Sequence, residues 1–97
     1  MKLITEKKLN KYLDLTTQAM KKVKIKKNLP KKDLKRAKTY LEMSKNYLSD
    51  AKHFKKEGNW VNAFAAVNYS HAWLDAGAIS ELFDVGKDNI MFTVDSD

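Results

Sequence analysis

Between Leu9 and Val23 the apolar side chains fall at Leu9, Tyr12, Leu13, Thr16, Ala19, Met20 and Val23, a three-and-four spacing that lines one face of a helix. Thr5 stands where an N-cap belongs, with Glu6 in the first turn, so a first helix is predicted over about residues 5–27. Asn28, Leu29 and Pro30 break it, because proline disfavours helix at the residue before it and suits the start of the next. A second helix, about 31–57, carries three rows that recur every seven residues: Leu34/Leu41/Leu48, Ala37/Ser44/Ala51 and Tyr40/Tyr47/Phe54. That period keeps the rows on one broad arc and favours bundle packing.

Gly58 suits a left-handed C-cap and Asn59 the next N-cap, so a tight turn leads into a third helix over about 60–83. Its central stripe reads Trp60, Phe64, Val67, His71, Leu74, Ala78 and Leu82, with Asn68 and Asp75 along one rim. The opposite face carries Ala65, Ala66, Tyr69, Ala72, Trp73 and Ala76, and a helix that is apolar all round calls for cover. After Gly86 the pattern becomes short and β-branched, Ile90 to Val94, which predicts an extended tail over 86–97. The expected architecture is all-α: a single-domain, three-helix up-and-down antiparallel bundle with a short extended C-terminal tail.

Charge changes this picture more than composition does. Residues 1–56 hold 18 Lys/Arg against five Asp/Glu, and residues 57–97 hold one against seven, a split that the net charge of +7 conceals. Ten basic residues crowd between Lys21 and Lys38, opposed only by Asp33. Such a field attracts polyanions, and Lys21, Lys22, Lys24, Lys26, Lys27, Lys31, Lys32 and Lys35 are the candidate contacts for RNA or DNA phosphates. Arg36 is the sole arginine and aromatics are sparse among the lysines, so sequence readout and base stacking are poorly served. The alternative is a solvated lysine-rich surface. The absence of cysteine removes disulfides, thiolate nucleophiles and cysteine-ligated metals. With no apolar run long enough to cross a bilayer, a cytoplasmic protein without membrane contact is expected.

The stretch NYSHAWLDAGA, Asn68 to Ala78, concentrates the candidate chemistry. His71 and Asp75 lie one turn apart, so the carboxylate can orient the imidazole. In the expected bundle Asp50, Asn68, Tyr12 and Tyr47 come near the same level, forming either a polar core or a pocket. A core histidine bonded to Tyr12, Tyr47 or Asp75 is the simpler reading, since buried polar groups normally find partners. As a catalytic pair it lacks a nucleophile and a phosphate-cradling loop. As a metal site it offers two ligands, with Asp50 a third only if the helices rotate favourably, so no metal or cofactor is expected. Tyr69 and Trp73, anchors among alanines, join Ile90 and Phe92 of the tail as a candidate interface to a protein partner or a second copy.

The run YLSDAKHFKKEGNWVNAFAAVNYSHAWLDAGAISELFDV, Tyr47 to Val85, resembles a small archaeal family known as a domain of unknown function, number three hundred fifty-seven. The matching positions are Tyr47, Asp50-Ala51, Phe54, Gly58, Ala63, Asn68-Tyr69, His71 and Trp73 to Gly77, with Ser80-Glu81 replacing a more usual glycine-bearing stretch. The resemblance implies a cytoplasmic three-helix bundle and brings no catalytic residues. A weaker likeness is to HEPN-type helical domains, whose nucleases carry an arginine shortly before a histidine. Asn68 lies close to where that arginine would be sought, which demotes the nuclease reading and leaves a non-catalytic partner-binding relative. The leading expectation is a non-catalytic protein-interaction module; nucleic-acid binding is the alternative, and an enzyme built on His71 and Asp75 comes third.

Overall fold

A computed structural model describes residues 4–86 of the chain. Three helices, α1 (Glu6–Lys22), α2 (Lys31–Lys56) and α3 (Trp60–Ile79), form an all-α bundle, and two short strands, β1 (Lys24–Ile25) and β2 (Phe83–Asp84), join the ends of α1 and α3. The tail residues Ile90 and Phe92 lie outside the described residues.

The helix starts follow from local chemistry. The Thr5 hydroxyl accepts from the Lys8 amide at 3.1 Å, and the Asn59 side chain accepts from the Asn62 amide at 3.3 Å. Each satisfies one donor that a helix start would otherwise leave bare. Helices α2 and α3 both end in Schellman motifs. In α2, Gly58 at φ +79 donates to Lys55 and Asn59 donates to Phe54. In α3, Glu81 occupies the left-handed position at φ +60, donating to Ala78 while Leu82 donates to Gly77.

Two predicted boundaries are corrected. Helix α1 ends at Lys22 rather than near residue 27, and α3 ends at Ile79 rather than near residue 83. Val23 and Ile25 are β-branched and alternate with Lys24 and Lys26, a two-residue period that suits a strand once a partner exists. The partner is β2, antiparallel, with Lys24 opposite Asp84 and Ile25 opposite Phe83. The reversal at Glu81 that delivers β2 is what stops α3.

The core divides in two. At one end Leu9, Tyr12, Leu13, Leu48, Ala51, Ala63 and Val67 pack with Phe54, Trp60 and Phe64. At the other, Ala19, Val23, Ala37, Leu74, Leu82 and Phe83 pack with Leu29, Tyr40 and Leu41. The fully buried Leu9 and Leu74 contribute about 1.5–3 kcal/mol each by leaving water. Along every helix a buried polar residue falls between members of the two clusters: Thr16 on α1, Ser44 on α2, Ser70 and His71 on α3.

The buried face of α3 is rotated from the expected one. Ala63, Ala66, Val67, Ser70, His71, Leu74 and Gly77 point inward, while Trp60, Phe64 and Ala78 are only half-buried. Small residues win these positions because α2 presents its own small row, Ala37, Ser44 and Ala51, across the seam, which lets the two backbones come close.

Candidate functional site

The polar layer is built from all three helices. The Thr16 hydroxyl lies 3.1 Å from Nδ1 of His71, in a contact that is fully buried. The Ser44 hydroxyl donates to the Ser70 carbonyl at 2.8 Å, the Ser70 hydroxyl donates to the Ser44 carbonyl at 2.7 Å, and the two Oγ atoms are 3.1 Å apart. Such reciprocal bonding suits a close helix–helix seam, because each hydroxyl reaches the opposite backbone without a spacer. Of the residues expected around the imidazole, Tyr12 packs edge-on against Phe64 at 5.2 Å and Tyr47 stacks on Tyr69 at 5.3 Å. Thr16, one turn beyond Tyr12, meets the ring at Nδ1.

Asp75 approaches His71 from the rim of α3, with Oδ1 at 3.7 Å from Nε2. That separation exceeds hydrogen-bond length, and burial pushes the Asp75 carboxyl up to about 6. His71 itself is 3% exposed. The ring is thus enclosed while the helices are packed. Asp50, expected in the polar core, is exposed: it follows the Met43 position by seven residues and falls beside the Ala37/Ser44/Ala51 row instead of on it. Among the described residues no three His, Cys, Asp or Glu side chains come together in a way that could hold a metal ion. His53 sits on the surface, 3.2 Å from Glu57 one turn on.

Thr16, Ser44 and Ser70 complete the layer and were not among the expected site residues. Two had a signal. Thr16 falls on the apolar face of α1, and Ser44 is the polar member of an otherwise alanine row.

The outer face of α3 is the second candidate. Val61, Ala65, Asn68, Ala72, Ala76 and Ile79 fall within one narrow strip at 100° per residue. Val61 is 68% exposed and Ile79 81%. A shallow groove lies along it between Ala65, Asn68, Tyr69 and Ala72. Tyr69, 59% exposed, leans over the edge onto Tyr47, whereas Trp73 is half-buried against Tyr40, 5.0 Å between ring centres. The two aromatic candidates thus have separate places: Tyr69 rims the open strip and Trp73 belongs to the α2–α3 seam.

The basic candidates gather at the opposite helix ends. Lys21, Lys22, Lys24, Lys26, Lys27, Lys31, Lys32 and Lys35 are all exposed along the connection from α1 to α2. Arg36 is held by Asp33 at 3.4 Å and lies over the Tyr40 ring, so the one side chain suited to bidentate base contact is already engaged. No helix among the described residues is long and apolar enough to cross a membrane.

The family model for a protein of unknown function, DUF357, matches residues 11–83, which takes in α1 from Lys11, both strands through Phe83, and the whole polar layer. No curated protein and no solved structure matches the chain. With three quarters of its length under that one family model, this chain belongs to the DUF357 family.

Proposed function

We propose that this protein is a non-catalytic protein-interaction module that docks a partner, or a second copy, on the outer face of α3. One observation carries the reading: from Trp60 to Leu74 there is no Asp, Glu, Lys or Arg, yet part of that helix is open to solvent at Val61, Ala65, Tyr69 and Ala72. A solvated helix face ordinarily carries charge, and an uncharged one rimmed by an aromatic suits a protein contact. The enclosed imidazole supports the non-catalytic half of the reading. The test is capture from native lysate with the wild-type chain and with Ala72→Glu, each with and without nuclease treatment. A nuclease-resistant protein retained by the wild type and lost by the variant supports the module; identical capture by both removes it.

A second reading, nucleic-acid binding, is favoured by the eight exposed lysines between Lys21 and Lys35. Binding there depends on phosphate charge, so affinity falls steeply with salt and is indifferent to sequence. Gel shifts over a salt series on Lys26→Glu/Lys31→Glu and Ala72→Glu separate the two surfaces.

A further inference from the structure

Among the described residues the large hydrophobic side chains that stand open to solvent are Val61, Tyr69 and Ile79, and all three belong to α3. Along the outer face of that helix Val61, Ala65, Asn68, Ala72, Asp75 and Ile79 follow one another at intervals of four, three, four, three and four. Steps of three and four hold these residues on a single seam. The order of intervals is the same from either end, with its midpoint level with Ser70. Size follows the same symmetry: exposed β-branched residues close both ends, and Ala65, Asn68 and Ala72 keep the middle low.

A two-fold pair of identical surfaces needs that mirror relation, because whatever residue i meets in its partner, that residue meets i in return. A foreign partner imposes no such relation on the strip. Laid antiparallel about the Ser70 level, Val61 meets Ile79 of the second copy at both ends, Asn68 meets Ala72, and Ala65 leaves room for the half-buried Asp75. Charge selects this direction over the parallel one. Parallel helices would set Asp75 against Asp75. They would also bring the two lysine-rich α1–α2 connections side by side, since Lys24 is paired with Asp84 just beyond the Ile79 end. Antiparallel helices put these connections roughly 30 Å apart along the axis, well beyond the ~8 Å screening length at physiological salt.

We infer that the partner of α3 is a second copy of this chain, bound through its own α3, antiparallel, with the two-fold axis level with Ser70. The inference rests on the docking role of α3 and gives that role its occupant. A strip about 30 Å long and roughly 10–12 Å wide covers less than half of the ~800 Å² that each partner gives a standard interface. The pair is therefore weak and exchanges with monomer in the micromolar range.

Sedimentation equilibrium of the full chain over a dilution series reads the association. The expected mass climbs from that of one chain toward that of two as concentration rises. It stays at one chain for Ala72→Glu and for Ile79→Glu, substitutions at exposed positions that leave the helical circular dichroism unchanged. Direction is read by crosslinking: the chain has no cysteine, so Val61→Cys and Ile79→Cys each carry a single thiol, and their mixture gives products that differ in mass. A short bismaleimide cannot span the roughly 27 Å between like positions of an antiparallel pair, so the mixed 61–79 product is expected almost alone. A monomer at every concentration overturns the second copy; the docking role of α3 then still stands if native lysate yields a foreign protein that Ala72→Glu loses. A dimer that survives both glutamates places the contact elsewhere and overturns the inference. So do like-with-like products in equal or greater yield than the mixed one.

Discussion

Ser44 and Ser70 hold each other across the α2–α3 seam, each hydroxyl donating to the other's backbone carbonyl. The pair, with Thr16 and His71, makes a polar layer between two apolar clusters. An α2–α3 slip by one turn would bury these hydroxyls against alanine and leucine. The layer therefore opposes misregistration of helices whose small facing rows would otherwise slide easily.

Removing either hydroxyl should cost about 1–2 kcal/mol, the worth of a buried hydrogen bond together with the desolvated group left behind. Replacing both should cost slightly less than the sum, because the Oγ–Oγ contact at 3.1 Å is lost with either substitution and so is counted twice in it. Urea unfolding of Ser44→Ala, Ser70→Ala and the double variant checks this. Strict additivity would mean that the two hydroxyls do not act as a pair.

Gly77 is the buried glycine of α3, and a Cβ there would run into the Phe83 ring of β2. Alanine gains about 1 kcal/mol of helix propensity, while overpacking against a ring that is 2% exposed costs about 1–3 kcal/mol. The clash should win. Gly77→Ala is expected to lower the melting temperature and to shift the amide signals of Lys24 and Ile25, which a purely local effect on α3 would leave in place.

Glu81 sits at φ +60, where a side chain costs about 1–2 kcal/mol relative to glycine. Glu81→Gly should therefore stabilise the protein by about 1 kcal/mol, less whatever the freer unfolded chain gives back. The same chemistry run backwards, Gly58→Ala at φ +79, should destabilise it by a similar amount. Thermal unfolding of the two variants reports both signs.

Burial raises the Asp75 carboxyl to about 6, so the folded chain binds this proton more tightly than the unfolded chain, whose carboxyl titrates near 3.8. Stability from this group is highest below pH 4 and falls as pH rises toward 6. Asp75→Asn should thus gain on the wild type by about 1–2 kcal/mol at pH 7, less than the full shift implies because the side chain is a quarter exposed, and should gain little at pH 3.5. Denaturant midpoints at the two pH values test it. A loss at pH 7 would mean that the carboxylate is held by a charged His71.

Much of this fold is legible in the sequence because its strongest patterns are repetitive. The heptad rows of α2, the Gly58-Asn59 turn and the Thr5 cap each rest on several residues that agree. The ends of α1 and α3 were not legible, since Val23 to Ile25 continues the helical spacing of α1 and becomes a strand only through β2, dozens of residues away. His71 was readable as an inward-facing group. Its contact with Thr16 was not, because a four-residue difference in the relative heights of α1 and α3 separates Tyr12 from Thr16. The rotation of α3 was hidden for another reason: periodicity weights large side chains, whereas the α2–α3 seam selects small ones such as Ala63, Ala66 and Gly77.

The docking role of α3 is tested most directly by a photo-crosslinking amino acid placed singly at Ala65, Ala72 or Lys35 of the full chain and irradiated in its native cell extract. A discrete protein adduct, from a partner or a second copy, is expected at positions 65 and 72 and none at 35. Adducts confined to position 35, or none at 65 and 72, would contradict it.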